Sequence, residues 1–400
     1  VPAKINPSSN SRVVGQSARK QPSILVAFDW FDHRMFHGIA RFAVEANWHL
    51  SPYLFSDRQI PLNWPGDGAL TSYGPTLAKF IDSLDMPKVD VTVSKMPQIV
   101  PRVVIDNEAV GKLAAEHFLK RGFQHFACFD WPQVDINVLR QNHFQNFLLA
   151  AGIPRENIHH IRQSPPEVLR EWGAHESAIL EQLNCLPRPL AVFTAQDNLG
   201  ATLIEVCVRN SIHVPEEVSV LGVDNIEFLC DCLAEPMSSI DTRLEELGYQ
   251  AAKQLQRLME GEITNEEPPQ LVAPGHVVNR RSTEVLAVSH PAVVKALRMM
   301  RTGFNTPLTL ETVCEEVGMS KRGLEKAFRA HLSRSPAAEL RRIRIDHAKR
   351  LLTETNLKIE AVACDCGYSN SSNLSLAFRR DTALSPRAYR SKFGKFKGRG

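Results

Sequence analysis

No apolar run in this 400-residue chain approaches the roughly 18 residues that a bilayer-crossing helix needs. Residues 1–22 are polar and basic without a hydrophobic centre, so they read as a disordered arm rather than a secretory signal. The eight cysteines follow no disulfide frame. Cys230-Asp-Cys232 and Cys364-Asp-Cys366 have one intervening residue where zinc sites use two to four, and no His pair follows. His159 and His160 are adjacent, and neighbours on a strand point to opposite faces. Also absent are a G-x-S-x-G elbow, a G-x-x-x-x-G-K-[ST] phosphate loop and a G-x-G-x-x-G turn after the first apolar run. No catalytic residue, metal or cofactor is therefore expected.

What is present is an asymmetry. The net charge is only +3, but residues 291–400 hold 22 Lys and Arg against 10 Asp and Glu, while the other 290 residues hold 25 against 34. A basic tail on an acidic body is the electrostatic footprint of a polyanion-binding module joined to a part with another task.

The tail also repeats itself. Leu310, Val313, Cys314 and Val317 fall at i, i+3, i+4 and i+7, followed by Gly318 and Ser320. Ile359, Val362, Ala363 and Cys366, with Gly367 and Ser369, repeat the pattern 49 residues later. Phe328 and Phe378, and Pro336 and Pro386, match at 50, as if the second copy had gained a residue. Such punctuation predicts two helix-turn-helix units. In each, a helix ends at Gly, Ser caps the next helix, and that second helix enters a DNA major groove.

Leu324 and Phe328 must face inward, so the first copy presents Ser320, Lys321, Arg322, Glu325, Lys326 and Arg329 to the double helix. The second presents Asn370, Ser371, Ser372, Asn373 and Ser375, with Leu374 and Phe378 inward. Arg379 and Arg380 lie toward the helix end, where phosphate contact is expected. Cys366 is needed as a core position.

In the body, strand-like runs at 24–28, 100–105, 126–131, 158–161, 190–194, 218–223 and 238–240 alternate with helical patterns of 11–19 residues. That predicts parallel sheets covered on both faces. Two α/β lobes or a (β/α)₈ barrel satisfy the count equally. Several strands end in polar groups: Asp29, Asp106-Asn107, Asp130-Trp131, Gln196-Asp197 and Asp224-Asn225. Ligands sit beyond strand carboxyl ends in such sheets, and Asp and Asn with interleaved Trp suit a sugar. The competing role for each is to cap the following helix.

Leu310-x-x-Val-Cys-x-x-Val-Gly-Met-Ser320, Ile359-x-x-Val-Ala-x-x-Cys-Gly-Tyr-Ser369 and Leu384-Ser-Pro-Arg-Ala-Tyr-Arg390 together resemble the AraC-type DNA-binding domain. Ser333 and Ala383 stand where that family usually has Gly, which predicts uncomfortable turns if φ is positive there. Ile105-Asp-Asn107, Arg140-x-x-x-Phe144, Thr194-Ala-Gln-Asp197 and Val220-Leu-Gly-Val-Asp-Asn225 are similar to the LacI-type sugar-sensing domain, a two-lobed periplasmic-binding-protein fold.

These resemblances imply a sensor over 23–284 and an all-α DNA-binding domain over 285–400. The sensor-first order, with Asp32-His-Arg34 and Gly248-Tyr-Gln-Ala-Ala-Lys253, implies a xylose-type effector: D-xylose or a related monosaccharide. Trp30, Asp32, Arg34, Asn107, Arg140, Asp197, Asp224 and Asn225 become its candidate contacts. The expectation is a cytoplasmic, sugar-responsive transcription activator, a homodimer that binds double-stranded DNA and meets RNA polymerase. Ligand would close the lobes and re-present the helix-turn-helix domains. Two alternatives stay open: a sugar-active enzyme with a DNA-binding tail, and a repressor whose body only dimerises.

Overall fold

The computed structural model describes residues 21–51, 64–131, 134–163, 171–284, 290–306, 308–332 and 334–394. Most of the 1–22 arm and Ser333 therefore lie outside the described residues. The chain divides into two compact units, one formed by residues up to 109 and 242–275, the other by 110–241 and everything from 276 onward.

From the N-terminus run β1 (Ser23–Ala27), α1 (His33–Glu45), β2 (His49–Leu50), β3 (Gly68–Thr71), α2 (Ala78–Asp82), β4 (Lys88–Asp90) and β5 (Val103–Ile105). Helix α3 (Asn107–Leu119) carries the chain into the second unit. There follow β6 (His125–Asp130), α4 (Asp135–Ala150), β7 (Ile158–Arg162), α5 (Trp172–Asn184), β8 (Leu190–Thr194), α6 (Asp197–Arg209), β9 (Val218–Val223), α7 (Glu227–Cys232) and β10 (Ser238–Ile240). Helix α8 (Leu244–Met259) and β11 (Gln270–Val272) belong to the first unit again, and β12 (Val277–Val278) to the second.

The first unit has the parallel order β2-β1-β3-β4, with β5 and β11 paired beside a single bridge from Asp90 to Arg102. Its α1 and α8 touch backbone to backbone. A Cβ on Gly38 would lie 1.9 Å from the Glu245 carbonyl oxygen, and one on Gly248 would lie 2.2 Å from that of Met35. Only glycine fits at either point.

The second unit has the order β12-β10-β9-β8-β6-β7, parallel except for β12. Its core joins Phe129, Ile161, Val192 and Val220 of the sheet to Ile179, Leu183, Leu199 and Leu203 of the helices. Two open sheets decide against a closed barrel. The chain order reverses beside β6 and β8, so the switch point of this sheet, where ligands collect, lies at their carboxyl ends.

The tail is all helix: α9 (Pro291–Gly303), α10 (Leu310–Val317), α11 (Lys321–Leu332), α12 (Pro336–Glu354), α13 (Ile359–Asp365), α14 (Ser371–Thr382) and α15 (Pro386–Phe393). The second copy closes on Ile345, Ala348, Leu352, Val362, Ala363, Cys366, Leu374 and Phe378. Its Cys366 is a core residue, as the repeat demanded.

The extra residue of the second copy can be placed. Gly318 and Gly367 both take positive φ, +67° and +72°. Ser320 Oγ accepts from Gly323 N at 3.2 Å, so Ser320 caps α11. In the second copy the cap is Asn370, whose Oδ1 accepts from Asn373 N at 2.8 Å, and not Ser369. The added residue therefore lies in the turn after Gly367. The cap moved because a residue there pushes the next polar side chain into register with the helix start. Ala383, at the end of α14, adopts φ 60° and ψ 2°. The turn does demand a left-handed residue, and this chain meets it without glycine.

Candidate ligand and DNA-reading sites

The second unit assembles one cluster at the carboxyl ends of β8 and β9. Arg140 arrives on α4, is 2% exposed, and donates Nη1 to the Ala195 carbonyl at 2.6 Å. Its Nη2 donates to Asp224 Oδ1 at 3.1 Å and its Nη1 to Oδ2 at 3.4 Å. This is a buried, two-pronged pair rather than an exposed surface ion pair. The Asp224 side chain keeps 20% of its surface exposed, so the carboxylate is both held and reachable. Its backbone is strained. Asp224 has φ 101° and Asn225 φ 49°, and consecutive left-handed residues without glycine mark a loop fixed by its surroundings.

Asp197 does that fixing. It is fully buried, and Oδ2 accepts from Ile226 N at 2.7 Å while Oδ1 accepts from Ser239 Oγ at 2.6 Å. Ser239 Oγ in turn accepts from Asn225 N at 2.9 Å. Gly222 leaves the room: a Cβ there would sit 2.2 Å from Asp197 Oδ1. Burial, reinforced by the nearby Asp224 charge, pushes the Asp197 carboxyl up to about 7. Asp197 thus neither caps its own helix nor faces solvent; it props the strained turn from beneath. Asn225 is buried, and its Oδ1 accepts from Arg280 Nη1 at 2.9 Å.

The first unit builds a second cluster at the carboxyl end of β1. Asp32 is the N-cap of α1 and accepts from Arg34 N at 2.9 Å, so its competing role as a cap is real. Arg34 also clasps it through Nε at 3.0 Å and Nη2 at 2.8 Å. Burial works to raise the Asp32 carboxyl, but the Arg34 hydrogen bonds and charge outweigh it and hold the group below its usual range. Trp30 stacks on Phe28 with ring centres 5.4 Å apart and donates Nε1 to Ser72 Oγ at 2.7 Å. Phe31, 65% exposed, stacks on Phe36. Asn107 is buried at the start of α3, its Nδ2 donating to the Ile105 carbonyl at 2.9 Å.

Sequence reasoning passed over four participants. Ser239 and Arg280 belong to the support of the Asp224 turn, and Phe31 extends the aromatic surface. Gln196, half-buried directly after Ala195, is the more accessible side chain of the Gln196-Asp197 pair. The strand-end pattern marked that place, but acidity drew the choice to Asp197.

In the tail, burial separates two kinds of cation. Several are structural: Arg342 of α12 and Arg334 just before it both pair with Glu339, itself 3% exposed, and Arg344 of α12 donates to the Phe304 and Thr306 carbonyls. Arg322, Lys326, Arg329, Arg379 and Arg380 are exposed and have no carboxylate partner among the described residues. Lys321 reaches Glu311 at 3.3 Å. Ser372 and Asn373 are exposed, whereas Ser371 and Ser375 are half-covered. Asn370 and Ser320 spend their side-chain oxygens on helix caps.

Residues 115–283 match a periplasmic binding protein-like domain, and residues 313–392 match a helix-turn-helix domain. The xylose operon regulatory protein of Escherichia coli K12 is 26% identical over 90% of this chain and 94% of its own. That of Haemophilus influenzae is 24% identical over 72% and 74%. A solved structure described as the xylose-binding transcription activator xylR superposes with a TM-score of 0.76 at 24% identity, covering 94% of this chain and all of its own. The chain is a transcription regulator, not an enzyme. The regulator carries an α/β periplasmic-binding-protein-like body ahead of an all-α helix-turn-helix domain. Among its described residues no helix is long and apolar enough to cross a membrane.

Proposed function

We propose that this regulator senses D-xylose, or a pentose closely like it, and activates transcription from DNA sites it occupies as a cytoplasmic homodimer in contact with RNA polymerase. Residues 23–284 are assigned to sensing and 285–400 to DNA. The observation that carries the ligand assignment is the Arg140–Asp224 pair. A carboxylate gripped by a buried guanidinium, yet one-fifth exposed at a sheet switch point, is a preorganised acceptor for two sugar hydroxyls. Collinear similarity to xylose operon regulatory proteins supports the choice of pentose.

Asp224 and Arg140 are the proposed polar contacts of the second unit, with Asn225 and Asp197 holding them in place. Trp30, Asp32, Arg34 and Asn107 are the proposed contacts of the first. Lys321, Arg322, Lys326, Arg329, Ser372, Asn373, Arg379 and Arg380 are the proposed DNA contacts, with Ser371 and Ser375 at the margin of that face and Ser320 and Asn370 setting the helix starts. Sugar shifts DNA affinity only through unequal affinity for two states of the protein, typically about 1–3 kcal/mol of coupling.

Calorimetric titration with D-xylose tests the sensor. Asp224→Ala removes a charged hydrogen-bonding partner, so affinity should fall by about 1.5–3 kcal/mol, roughly ten- to a hundredfold. Retained affinity would displace the site. A thermal-shift panel of pentoses tests the sugar, since a ligand that binds only the native state raises its melting temperature. No shift with any pentose would overturn the sensing role.

A further inference from the structure

The two recognition helices, read at the same register, present different chemistry to the outside. With Phe328 aligned on Phe378, Arg322 matches Ser372, Lys326 matches Leu376 and Arg329 matches Arg379. Apart from Asp381, which pairs with Lys349, the exposed residues of α14 are Ser372, Asn373, Leu376, Arg379 and Arg380. These fall at i, i+1, i+4, i+7 and i+8, one continuous stripe opposite the inward Leu374 and Phe378. Leu376 lies at its centre with 76% of its surface exposed. Where the first copy carries a lysine, the second places a bare isobutyl group between hydrogen-bonding side chains and two arginines.

A major groove offers one feature that suits such a group. Each thymine displays a 5-methyl there, beside donors and acceptors that Ser372 and Asn373 are able to meet, and beneath phosphates that Arg379 and Arg380 complement. We infer that Leu376 packs on a thymine 5-methyl in the major groove, making the second helix-turn-helix copy a reader of thymine while the first works through charge. This rests on the DNA-binding reading above and goes further by naming the base.

The test uses the full chain with D-xylose present. Duplexes are enriched from a random pool, and each dT of the recovered site is replaced singly by dU, which deletes the 5-methyl and leaves the pairing intact. Binding is measured by fluorescence anisotropy at fixed salt. One dT→dU change should weaken the wild type about fourfold, the equivalent of one methyl group left unburied. Leu376→Ala should bind the dT and dU sites equally well. Leu376→Lys, which restores the residue of the first copy, should lose the discrimination and steepen the dependence of binding on salt.

The inference is overturned if no dT→dU change affects the wild type, or if the penalty persists undiminished in Leu376→Ala. It is also overturned if Leu376→Ala weakens dT and dU sites alike while keeping the dT preference, for then the leucine serves another contact, such as a second copy of the chain. A chain that enriches no sequence at all removes the DNA-binding reading itself. Leu376 is exposed, so the variants keep the helix, and a circular dichroism spectrum unchanged from wild type verifies it.

Discussion

Replacing Asp197 by Asn should change how stability depends on pH. The Asp197 carboxyl rises to about 7 in the folded protein from an ordinary value of 3.8, because burial and the Asp224 charge disfavour its ionised form. Between those values the folded chain keeps a proton that the unfolded chain has released. The group's contribution is therefore fully present at low pH and is lost as pH climbs to about 7. From pH 5 to pH 8 the loss is on the order of 2–3 kcal/mol.

His117 runs the other way. Burial first, then the charges of Arg121 and Lys120, lower it from 6.5 to about 3, and Nε2 meets Thr283 Oγ1 at 2.9 Å. The unfolded chain takes up a proton below 6.5 that the folded chain refuses, so this group adds about 2 kcal/mol on going from pH 5 to pH 8. The two contributions run in opposite directions, and the lowered imidazoles of His159, His175 and His347 add to that of His117. Guanidinium unfolding of the full chain at pH 5, 6, 7 and 8, with wild type beside each variant, reads each contribution as a difference. Asp197→Asn should gain on the order of 2–3 kcal/mol relative to wild type across that range, and His117→Gln should lose on the order of 2 kcal/mol. Parallel profiles for wild type and Asp197→Asn would refute the account of the buried prop.

Ala383→Gly should stabilise the second helix-turn-helix copy by roughly 1 kcal/mol, because φ 60° is strained for any residue with a Cβ; a lower melting temperature would contradict the turn geometry. Arg322→Ala should weaken DNA binding and flatten its dependence on salt by roughly 0.9 in log–log slope if the guanidinium meets a phosphate. Identical curves for the two proteins would strike Arg322 from the interface.

Much of the fold was legible because period and punctuation agreed. Leu190–Thr194, Val218–Val223 and Ser238–Ile240 are strands at the residues expected, each an apolar or β-branched run between turn signals. Strands β2, β3 and β4 were missed. Two to four residues long and carrying His49, Gly68, Lys88 and Asp90, they owe their state to neighbouring strands rather than to local pattern. Helix α8 begins at Leu244 and no earlier, since Arg243 itself takes a left-handed φ of 54°.

The candidate site was legible as places more than as roles. Arg140 and Asp224 were named from motif, and their pairing emerges only in three dimensions. Asp197 looked like a contact because sequence cannot show that its two oxygens are taken by Ile226 and Ser239. Leu376 was invisible for the opposite reason: an apolar residue in an amphipathic helix is read as inward until its exposure is seen.

Gly318 and Gly367 are the same letter serving unequal duties. Around the first there is open space, so its left-handed turn is the sole demand upon it, and asparagine tolerates that conformation. Around the second, an added carbon would strike the Phe304 carbonyl oxygen at 2.2 Å, against a segment clasped by Arg344. The two copies make the same left-handed turn, but only at the second is that turn packed against the chain at the end of α9. Saturation mutagenesis of the pair should accordingly return a tolerant position at 318 and an immovable one at 367.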